Sequence, residues 1–403
     1  MQTNLVQEFA AQPEGQEAEA ILRSCVHCGF CTATCPTYQE LGDERDGPRG
    51  RIYLMKMFLE GQETTGKTRE HLDRCLSCRA CETTCPSGVQ YGRLLDISRG
   101  LMEERQERPL RERWLRQGLI RVLPHRRLFG ILLRLGQLSR PLVPGALRRK
   151  IPRRRQARPW PTGSHDRKVL ALAGCVQPSA TPNTNAAAAR VLDRLGITLM
   201  EAPQAGCCGA VSYHLGEHED GLAYMRRNID AWWPAIESGA EALVMTASGC
   251  GAMVQDYGHL LKDDPAYADK ARTVSELTMD LGAFLLEQDL GKLGGREGQG
   301  RVAFHCPCTL QHAMQQSGVV EQVLAKAGVD LADTTDKHLC CGSAGTYSVL
   351  QPELSQRLLT NKLAALTVDH PDEIVTANAG CQLHLESRSP VPVRHWIELL
   401  DTE

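Results

Sequence analysis

The sequence predicts a multidomain α+β protein: a mostly helical N-terminal domain, a basic helical connector and a C-terminal pair of duplicated α/β domains. Three observations predict it: two cysteine runs of identical spacing near the N-terminus, an arginine-rich segment after them, and a repeated strand–helix pattern in the remainder. A chain of 403 residues is long enough for two or three domains with cores of their own. We expect the domains to span residues 1–104, 105–168, 169–290 and 301–403.

The N-terminal domain is predicted from the two cysteine runs. Each reads C-x2-C-x2-C-x3-C-P, and the runs begin at Cys25 and Cys75. This spacing is typical of bacterial ferredoxins with two [4Fe–4S] clusters, in which the fourth cysteine of each run ligates the other cluster. We therefore expect two [4Fe–4S] clusters. The first is assigned to Cys25, Cys28, Cys31 and Cys85, and the second to Cys75, Cys78, Cys81 and Cys35.

Two other uses of these cysteines fit the spacing less well. Structural zinc takes four ligands, usually from two separated C-x2-C pairs, whereas here eight cysteines form two runs that each end in Cys-Pro. Disulfide frameworks are typical of small secreted domains, and residues 1–15 lack the basic and apolar regions of a signal peptide. No run of about 18 apolar residues predicts a membrane-spanning helix. These observations indicate a reducing, cytoplasmic environment.

The stretch between the cysteine runs predicts helices rather than the short hairpins of a small ferredoxin. It holds 39 residues between Cys35 and Cys75. A turn pattern at 47–50 precedes residues 51–60, whose apolar side chains recur at helical spacing. Residues 94–104 predict a further helix. The ferredoxin domain should therefore be mostly α-helical.

The connector, residues 105–168, is strongly basic. It contains 19 Lys/Arg and 3 Asp/Glu, a net charge of +16, whereas the whole chain carries −2. The simpler interpretation is a solvated helical linker packed on its neighbours. The more specific one is peripheral contact with anionic lipid headgroups or with an acidic partner subunit. We expect no nucleic-acid binding, because no aromatic interleaving or known DNA-binding motif accompanies the charge.

Residues 169–403 contain an internal repeat. Four segments recur at offsets of 131 to 133 residues: 169–175 with 302–308, 191–199 with 323–331, 207–209 with 340–342, and 242–250 with 373–381. Short β-branched runs alternate with helical stretches in each copy. This alternation predicts a small βαβ-type unit with a parallel sheet in each repeat.

The cysteines of the repeats follow predicted strands or lie in tight turns, and ligands collect at the carboxyl ends of parallel strands. Each repeat contains an adjacent Cys-Cys pair followed by glycine, which is poorly suited to burial as two apolar side chains. We favour a metal or cluster site over inert or redox-reactive thiols. The first candidate set is Cys175, Cys207, Cys208 and Cys250, and the second is Cys308, Cys340, Cys341 and Cys381, with Cys306 as an extra.

Over nearly its full length the sequence resembles the iron–sulfur subunits of bacterial glycolate oxidase. The resemblance is carried by the blocks LRSCVHCGFCTATCPTY, GPRGRIYLMK, CLSCRACETTCPSGV and VMTASGCGAM. Lactate-oxidising complexes and anaerobic glycerol-3-phosphate dehydrogenase have related subunits, and those of heterodisulfide reductase are more distant. The resemblance implies two ferredoxin clusters and two Cys-Cys-Gly domains.

The chain departs from the heterodisulfide reductase pattern, in which each Cys-Cys-Gly repeat ends in C-x2-C and five cysteines hold a non-cubane cluster. Here the first repeat ends CGAM from Cys250, and the second ends CQLH from Cys381. The second repeat reaches five cysteines only with Cys306, and His305 or His384 are other candidate ligands. An additional cluster or metal is therefore expected in the second repeat rather than the first.

The resemblance implies an electron-transfer subunit of a glycolate oxidase complex. A partner flavoprotein would oxidise glycolate to glyoxylate, and electrons would pass through the clusters towards a quinone or another acceptor. The only glycine-rich stretch, 294–300, precedes a predicted strand, which is the wrong context for a dinucleotide fold. We therefore expect no catalytic residue and no substrate oxidation by this chain alone.

Three alternatives stay open at this point. The chain could serve a lactate or glycerol-3-phosphate dehydrogenase complex instead. The Cys-Cys-Gly repeats could themselves catalyse thiol–disulfide chemistry, as in heterodisulfide reductase. The clusters could also be structural or iron-sensing, which predicts that they have no accessible redox couple.

Overall fold

The computed structural model describes residues 1–145, 148, 151–293 and 300–401, so most of the glycine-rich stretch 294–300 lies outside the described residues. A helical N-terminal part is followed by two parallel sheets with helices around them, which confirms the predicted fold class. None of the described helices is long and apolar enough to cross a bilayer.

The N-terminal part is built from short helices around one apolar core. Its helices are α1 Gln7–Ala10, α2 Pro13–Ser24, α3 Phe30–Ala33, α4 Pro36–Leu41, α5 Pro48–Leu59, α6 Gly66–Asp73, α7 Ala80–Thr83, α8 Tyr91–Arg105, α9 Leu110–Val122 and α10 Arg126–Ser139. Short 3₁₀ turns lie at Glu44–Asp46 and Arg140–Leu142. Met55 of α5 and Leu94 of α8 are fully buried in the core. Pro36 begins α4 directly after Cys35, because proline is tolerated in the first helical turn.

The first repeat contains β1 Arg167–Ala171, α11 Gln177–Ala180, α12 Asn183–Arg194, β2 Ile197–Glu201, α13 Ala210–His214, α14 His218–Glu237, β3 Leu243–Met245, α15 Ser248–Gln255, α16 Tyr257–Leu260, α17 Ala268–Leu277, β4 Thr278–Asp280 and α18 Leu281–Leu286. A 3₁₀ turn at Leu290–Leu293 follows. The second contains β5 Arg301–His305, a π-helical turn Thr309–Ala313, α19 Val319–Lys326, β6 Asp330–Leu331, α20 Tyr347–Leu350, α21 Pro352–Leu366, β7 Glu373–Thr376, α22 Ala379–Glu386, β8 Val393–His395 and α23 Ile397–Leu400.

The two sheets have the same strand order, which agrees with the internal repeat in the sequence. The first runs β2-β1-β3-β4 and the second β6-β5-β7-β8, and every pairing is parallel. One apolar core joins them, with Val244 from the first sheet and Phe304 from the second among its members. His395 extends this contact, since its Nε2 lies 2.8 Å from the carbonyl oxygen of Thr246. The two repeats therefore form one packed body.

The N-terminal part packs against both repeats. Towards the first repeat, His214 Nδ1 lies 3.0 Å from a carboxylate oxygen of Asp96. Towards the second, the hydroxyl of Tyr347 donates to the carbonyl of Arg74 at 3.1 Å. His312 Nδ1 lies 3.0 Å from Thr83 Oγ1. The ferredoxin loops are thereby held beside the duplicated domains.

Candidate iron–sulfur sites

Two cavities in the N-terminal part are lined by the cysteines of both runs. The first, of about 430 Å³, has Cys25, Cys28, Cys31 and Cys85 on its wall. The second, of about 300 Å³, has Cys35, Cys75, Cys78 and Cys81 on its wall. The fourth cysteine of each run therefore lies with the first three of the other run. Cys81 and Tyr91 line both cavities, so the two sites are immediate neighbours.

The loops that carry the first three cysteines of each run adopt the same conformation. His27 and Gly29 in the first loop, and Ser77 and Arg79 in the second, all have positive φ. Alternating left-handed residues turn successive backbone N–H groups inward, which creates a concave site for anions such as iron–sulfur clusters. Glycine occupies only one of the four positions, so residue type alone does not predict this geometry.

The chemistry around the second cavity suits a negatively charged cluster. Arg51 is fully buried on its wall and donates to the carbonyl of His71 at 2.7 Å. Its guanidinium is 3.4 Å from the buried carboxylate of Asp46. Burial, and then the nearby Cys75, raise the pKa of Tyr91 well above its usual value. Tyr91 thus stays protonated and donates to the Cys75 sulfur at 3.6 Å.

Burial favours the protonated form of several thiols in these cavities. Burial is the main cause that raises the pKa of Cys31 to about 11. It raises the pKa of Cys78 and Cys81 well above the usual value. Metal ligands must be deprotonated, so cluster insertion displaces these protons. Eight thiols around two adjacent cavities fit two [4Fe–4S] clusters.

In the first repeat, the four candidate cysteines meet at one sheet edge. Cys175 hydrogen bonds Cys207, Cys207 hydrogen bonds Cys208, and Cys208 hydrogen bonds Cys250. The hydrogen bonds from its neighbours lower the pKa of Cys207 well below its usual value. Gly209 makes the turn with φ 93°, and a Cβ there would lie 2.8 Å from the carbonyl oxygen of Gly221. The turn that presents both sulfurs therefore requires glycine.

In the second repeat, four of the five candidate cysteines form a matching chain of sulfurs. Cys308 and Cys340 are 3.7 Å apart, and Cys341 hydrogen bonds both Cys340 and Cys381. Cys306 does not join them. Its side chain lies in the apolar core between the sheets, and its sulfur hydrogen bonds only the carbonyl of Pro307, at 4.0 Å.

Two other buried groups lie at the second site. His305 is within 4.8 Å of the Cys341 and Cys381 sulfurs through a ring nitrogen. Lys362 is 3% exposed and donates to the carbonyls of Asp336 and Lys337. Burial lowers the pKa of Lys362, although the thiols of Cys341 and its neighbours act in the opposite direction. Lys362 is not among the predicted site residues. A lysine inside the mostly apolar run LLTNKLAAL is the sequence feature that could have indicated its burial.

The second repeat lies against the second ferredoxin loop. Cys78 packs in one cluster with Cys308, Cys340 and Tyr347. After burial, the nearby Cys308 is the largest cause that raises the pKa of Cys78. In the described residues, the apolar cluster around Cys208 and Cys250 contains no member from the N-terminal part. Only the second chain of sulfurs thus continues a ferredoxin site.

Comparison with known families agrees with both kinds of site. Residues 21–89 match the 4Fe-4S dicluster domain, and residues 169–255 and 302–386 match the cysteine-rich domain. The first match confirms the expectation of two [4Fe–4S] clusters in the N-terminal part. The second assigns both repeats to the same family.

Curated relatives extend the similarity to the whole chain. The glycolate oxidase iron–sulfur subunit of Escherichia coli K12 is 59% identical over 402 residues, which cover 100% of this chain and 98% of that protein. The probable glycolate oxidase iron–sulfur subunit of Bacillus subtilis 168 is 32% identical and covers 91% and 89%. Lactate utilization protein A of Bacillus licheniformis is 26% identical over 58% of this chain and 99% of its own length.

A solved structure shares the fold at low sequence identity. A hypothetical protein from Helicobacter pylori matches with a TM-score of 0.55 and 9% identity, over 98% of this chain and 74% of that one. At this identity the likeness bears on the fold alone.

Proposed function

Because the chain belongs to the family of glycolate oxidase iron–sulfur subunits, we propose that it is the electron-transfer subunit of a complex that oxidises glycolate to glyoxylate. A flavoprotein partner accepts the hydride from the substrate, and this chain carries the electrons onward one at a time. The observation that carries the proposal is the pair of neighbouring cysteine-lined cavities that share Cys81 and Tyr91. When bound there, the clusters supply the one-electron redox chemistry, and the protein sets their position and potential.

Electrons enter at the first cavity and leave through the second. Cys28 is exposed, and it is flanked by Val26 and Phe30, which are 68% and 61% exposed. Exposed apolar side chains beside a redox site suit the docking of a partner protein. The exit follows from the packing of Cys78 and Cys308 against one apolar cluster, which leads into the sulfur chain of the second repeat. We assign the eight ferredoxin cysteines as cluster ligands, and Cys308, Cys340, Cys341 and Cys381 as an additional metal site.

The connector provides contact with an anionic membrane surface. Helix α10 packs through Gly130 against Ser179 and leaves an apolar stripe facing solvent. The stripe consists of Leu128, Ile131, Leu132, Leu135 and Leu138, exposed by 41% to 77%. On α9, Trp114 is 72% exposed. Exposed leucines and a tryptophan beside cationic side chains are the pattern of helices that lie in a lipid interface.

The arginines of the connector support the choice of anionic lipid. On α9 and α10, six arginines make no ion pair within the part of the chain that the structure describes: Arg111, Arg113, Arg121, Arg126, Arg127 and Arg134. Each basic residue near an anionic leaflet contributes about 1 kcal/mol. Peripheral attachment at the cytoplasmic face would also bring the exit site near a membrane quinone, which we propose as the acceptor.

The substrate is tested with the complete complex. Anaerobic addition of glycolate to this chain co-purified with its flavoprotein should reduce both clusters, as followed by EPR, whereas the chain alone should stay oxidised. Failure of glycolate to reduce them, with reduction by lactate or glycerol 3-phosphate, would assign the chain to one of the alternative complexes. The iron content tests the additional site, because about eight irons account for the ferredoxin clusters alone.

Membrane contact is tested by co-sedimentation with vesicles. The protein should pellet with phosphatidylglycerol vesicles at low salt, and less with phosphatidylcholine vesicles or at high salt. Leu132→Gln with Leu135→Gln should abolish pelleting, and Arg127→Gln with Arg134→Gln should weaken it. If the wild-type protein pellets with neither kind of vesicle but binds the flavoprotein through this stripe, the surface is a subunit interface instead.

A further inference from the structure

We propose that Nε2 of His305 is a ligand of the metal centre in the second repeat, which makes this a mixed cysteine–histidine site. The inference rests on the proposed additional site there and names a ligand that the cysteine pattern does not supply. It concerns only the second repeat. The two ferredoxin clusters are independent of it.

The imidazole of His305 is held in place and lacks a partner on one side. The side chain is 1% exposed at the end of β5, and Nδ1 lies 2.9 Å from Thr376 Oγ1. No group among the described residues hydrogen bonds Nε2. A buried ring nitrogen without a partner is costly, since nothing replaces the hydrogen bond that water would make. One ring nitrogen of His305 lies within 4.8 Å of the Cys341 and Cys381 sulfurs. Because Nδ1 faces Thr376 Oγ1, Nε2 is the nitrogen left to bind a metal.

Strand geometry explains why the histidine and not the neighbouring cysteine faces the site. Successive side chains along a strand point to opposite faces of the sheet. Phe304 and Cys306 point into the core between the two sheets. Ala303 points to the other face, where it packs with Cys341 and Cys381. His305 follows the register of Ala303, so the chain direction places its ring among the sulfurs.

The first repeat lacks both members of the histidine–threonine pair. Aligned on the repeat, His305 corresponds to Leu172 and Thr376 to Met245. Leu172 and Met245 are both buried in the apolar cluster of the first repeat. The ligand and the side chain that orients it are thus replaced together by apolar residues. Metal-binding histidines are usually oriented by a hydrogen bond at the other ring nitrogen, and Thr376 provides such a contact at Nδ1.

A histidine ligand sets the direction of electron flow. Replacing a thiolate by a neutral imidazole removes one negative charge, and this raises the reduction potential of an iron–sulfur centre. With such a centre bound, its higher potential beside Cys78 would favour electron transfer from the second ferredoxin cluster. The second repeat therefore serves as the outlet of the relay.

The test is pulsed EPR on the anaerobically purified, full-length protein labelled with ¹⁵N-histidine. A strongly coupled histidine nitrogen should appear on one paramagnetic centre and disappear in His305→Leu, which copies the first repeat. His305→Cys should keep the metal, lose the coupling and shift the midpoint potential downward. The control Cys306→Ala should leave the coupling unchanged.

Two results would overturn the inference. One is a metal-loaded second repeat without histidine coupling, or with coupling that survives in His305→Leu. The other is an iron content of about eight with no other metal bound. Neither result contradicts electron transfer through the ferredoxin clusters, because glycolate-dependent reduction of those clusters is measured separately.

Discussion

The two Cys-Cys-Gly repeats share a scaffold but differ in what surrounds their sulfurs. Both have the same strand order, a left-handed glycine after the cysteine pair and a continuous chain of thiols. In the first repeat, Asn228 and Tyr257 clamp the cysteine loop through its carbonyls. In the second, His305 and Lys362 lie beside the sulfurs, and Cys78 adjoins them. The difference teaches that duplication preserved the cysteine geometry while the second copy came to lie against a ferredoxin loop.

The largest expected effect comes from replacing the equivalent cysteine in each repeat and comparing the two variants. In the assembled complex, Cys340→Ser should lower glycolate-dependent reduction of a quinone analogue by at least about tenfold, the scale seen when metal sites are disturbed. Cys207→Ser should retain most of the rate, because its sulfur chain does not adjoin a ferredoxin site. Equal losses in the two variants would contradict the assignment of the outlet to one repeat. EPR of the ferredoxin clusters serves as the control for correct loading.

A second comparison concerns how each cysteine loop is held. Asn228 accepts from the N–H of Gly206 at 2.9 Å and donates to the Cys207 carbonyl at 2.8 Å. In the second repeat, Ser355 donates to the Gly342 carbonyl at 2.8 Å. Asn228→Ala should destabilise the protein by about 1–3 kcal/mol, since it leaves buried groups unpaired. Ser355→Ala should cost less, and thermal unfolding of the cluster-loaded protein measures both.

The smallest effect expected is a pH dependence that differs between the two domain contacts. Burial would lower the pKa of His214, but the Asp96 carboxylate outweighs it and raises this pKa above its usual value. The stability contributed by this pair is therefore full below about pH 6.5 and is lost as the pH rises through the folded pKa. Burial lowers the pKa of His312, so that contact weakens as the pH falls below about 6.5.

Substitution of each histidine separates the two contributions to the pH dependence of stability. His214→Gln should flatten the stability loss on the alkaline side, and His312→Gln should flatten it on the acid side. Unfolding midpoints measured from about pH 5.5 to 8 follow both effects. An unchanged pH profile in His214→Gln would show that the Asp96 pair does not contribute to the contact with the first repeat.

Much of this architecture could be predicted from the sequence, because cysteine spacing and an internal repeat report directly on chain geometry. The predicted helices at 51–60 and 94–104 correspond to Pro48–Leu59 and Tyr91–Arg105, each starting three residues earlier than expected. The spacing cannot tell which of two neighbouring side chains faces a site. The sequence offers both Cys306 and His305 as candidate ligands, and strand register, not residue type, turns Cys306 into the core between the sheets and His305 towards Cys341.

The burial of individual charged side chains depends on long-range packing, and the local sequence does not predict it. Arg51 reads as an exposed residue of an amphipathic helix, yet it is fully buried against Asp46. Lys362 likewise donates to carbonyls 25 and 26 positions away along the chain. The desolvation of buried charges of this kind is compensated by hydrogen bonds and ion pairs to partners that come together only in the folded state.

The packing of Tyr347 and Leu354 over the loop of Cys78 also bears on how the protein matures. A carrier that delivers preassembled cofactor needs access to that loop. Docking of the C-terminal half restricts this access, so biogenesis should proceed in a fixed order, with cofactor insertion first and closure afterwards. Cells starved of iron should then accumulate an open, protease-sensitive form of the chain.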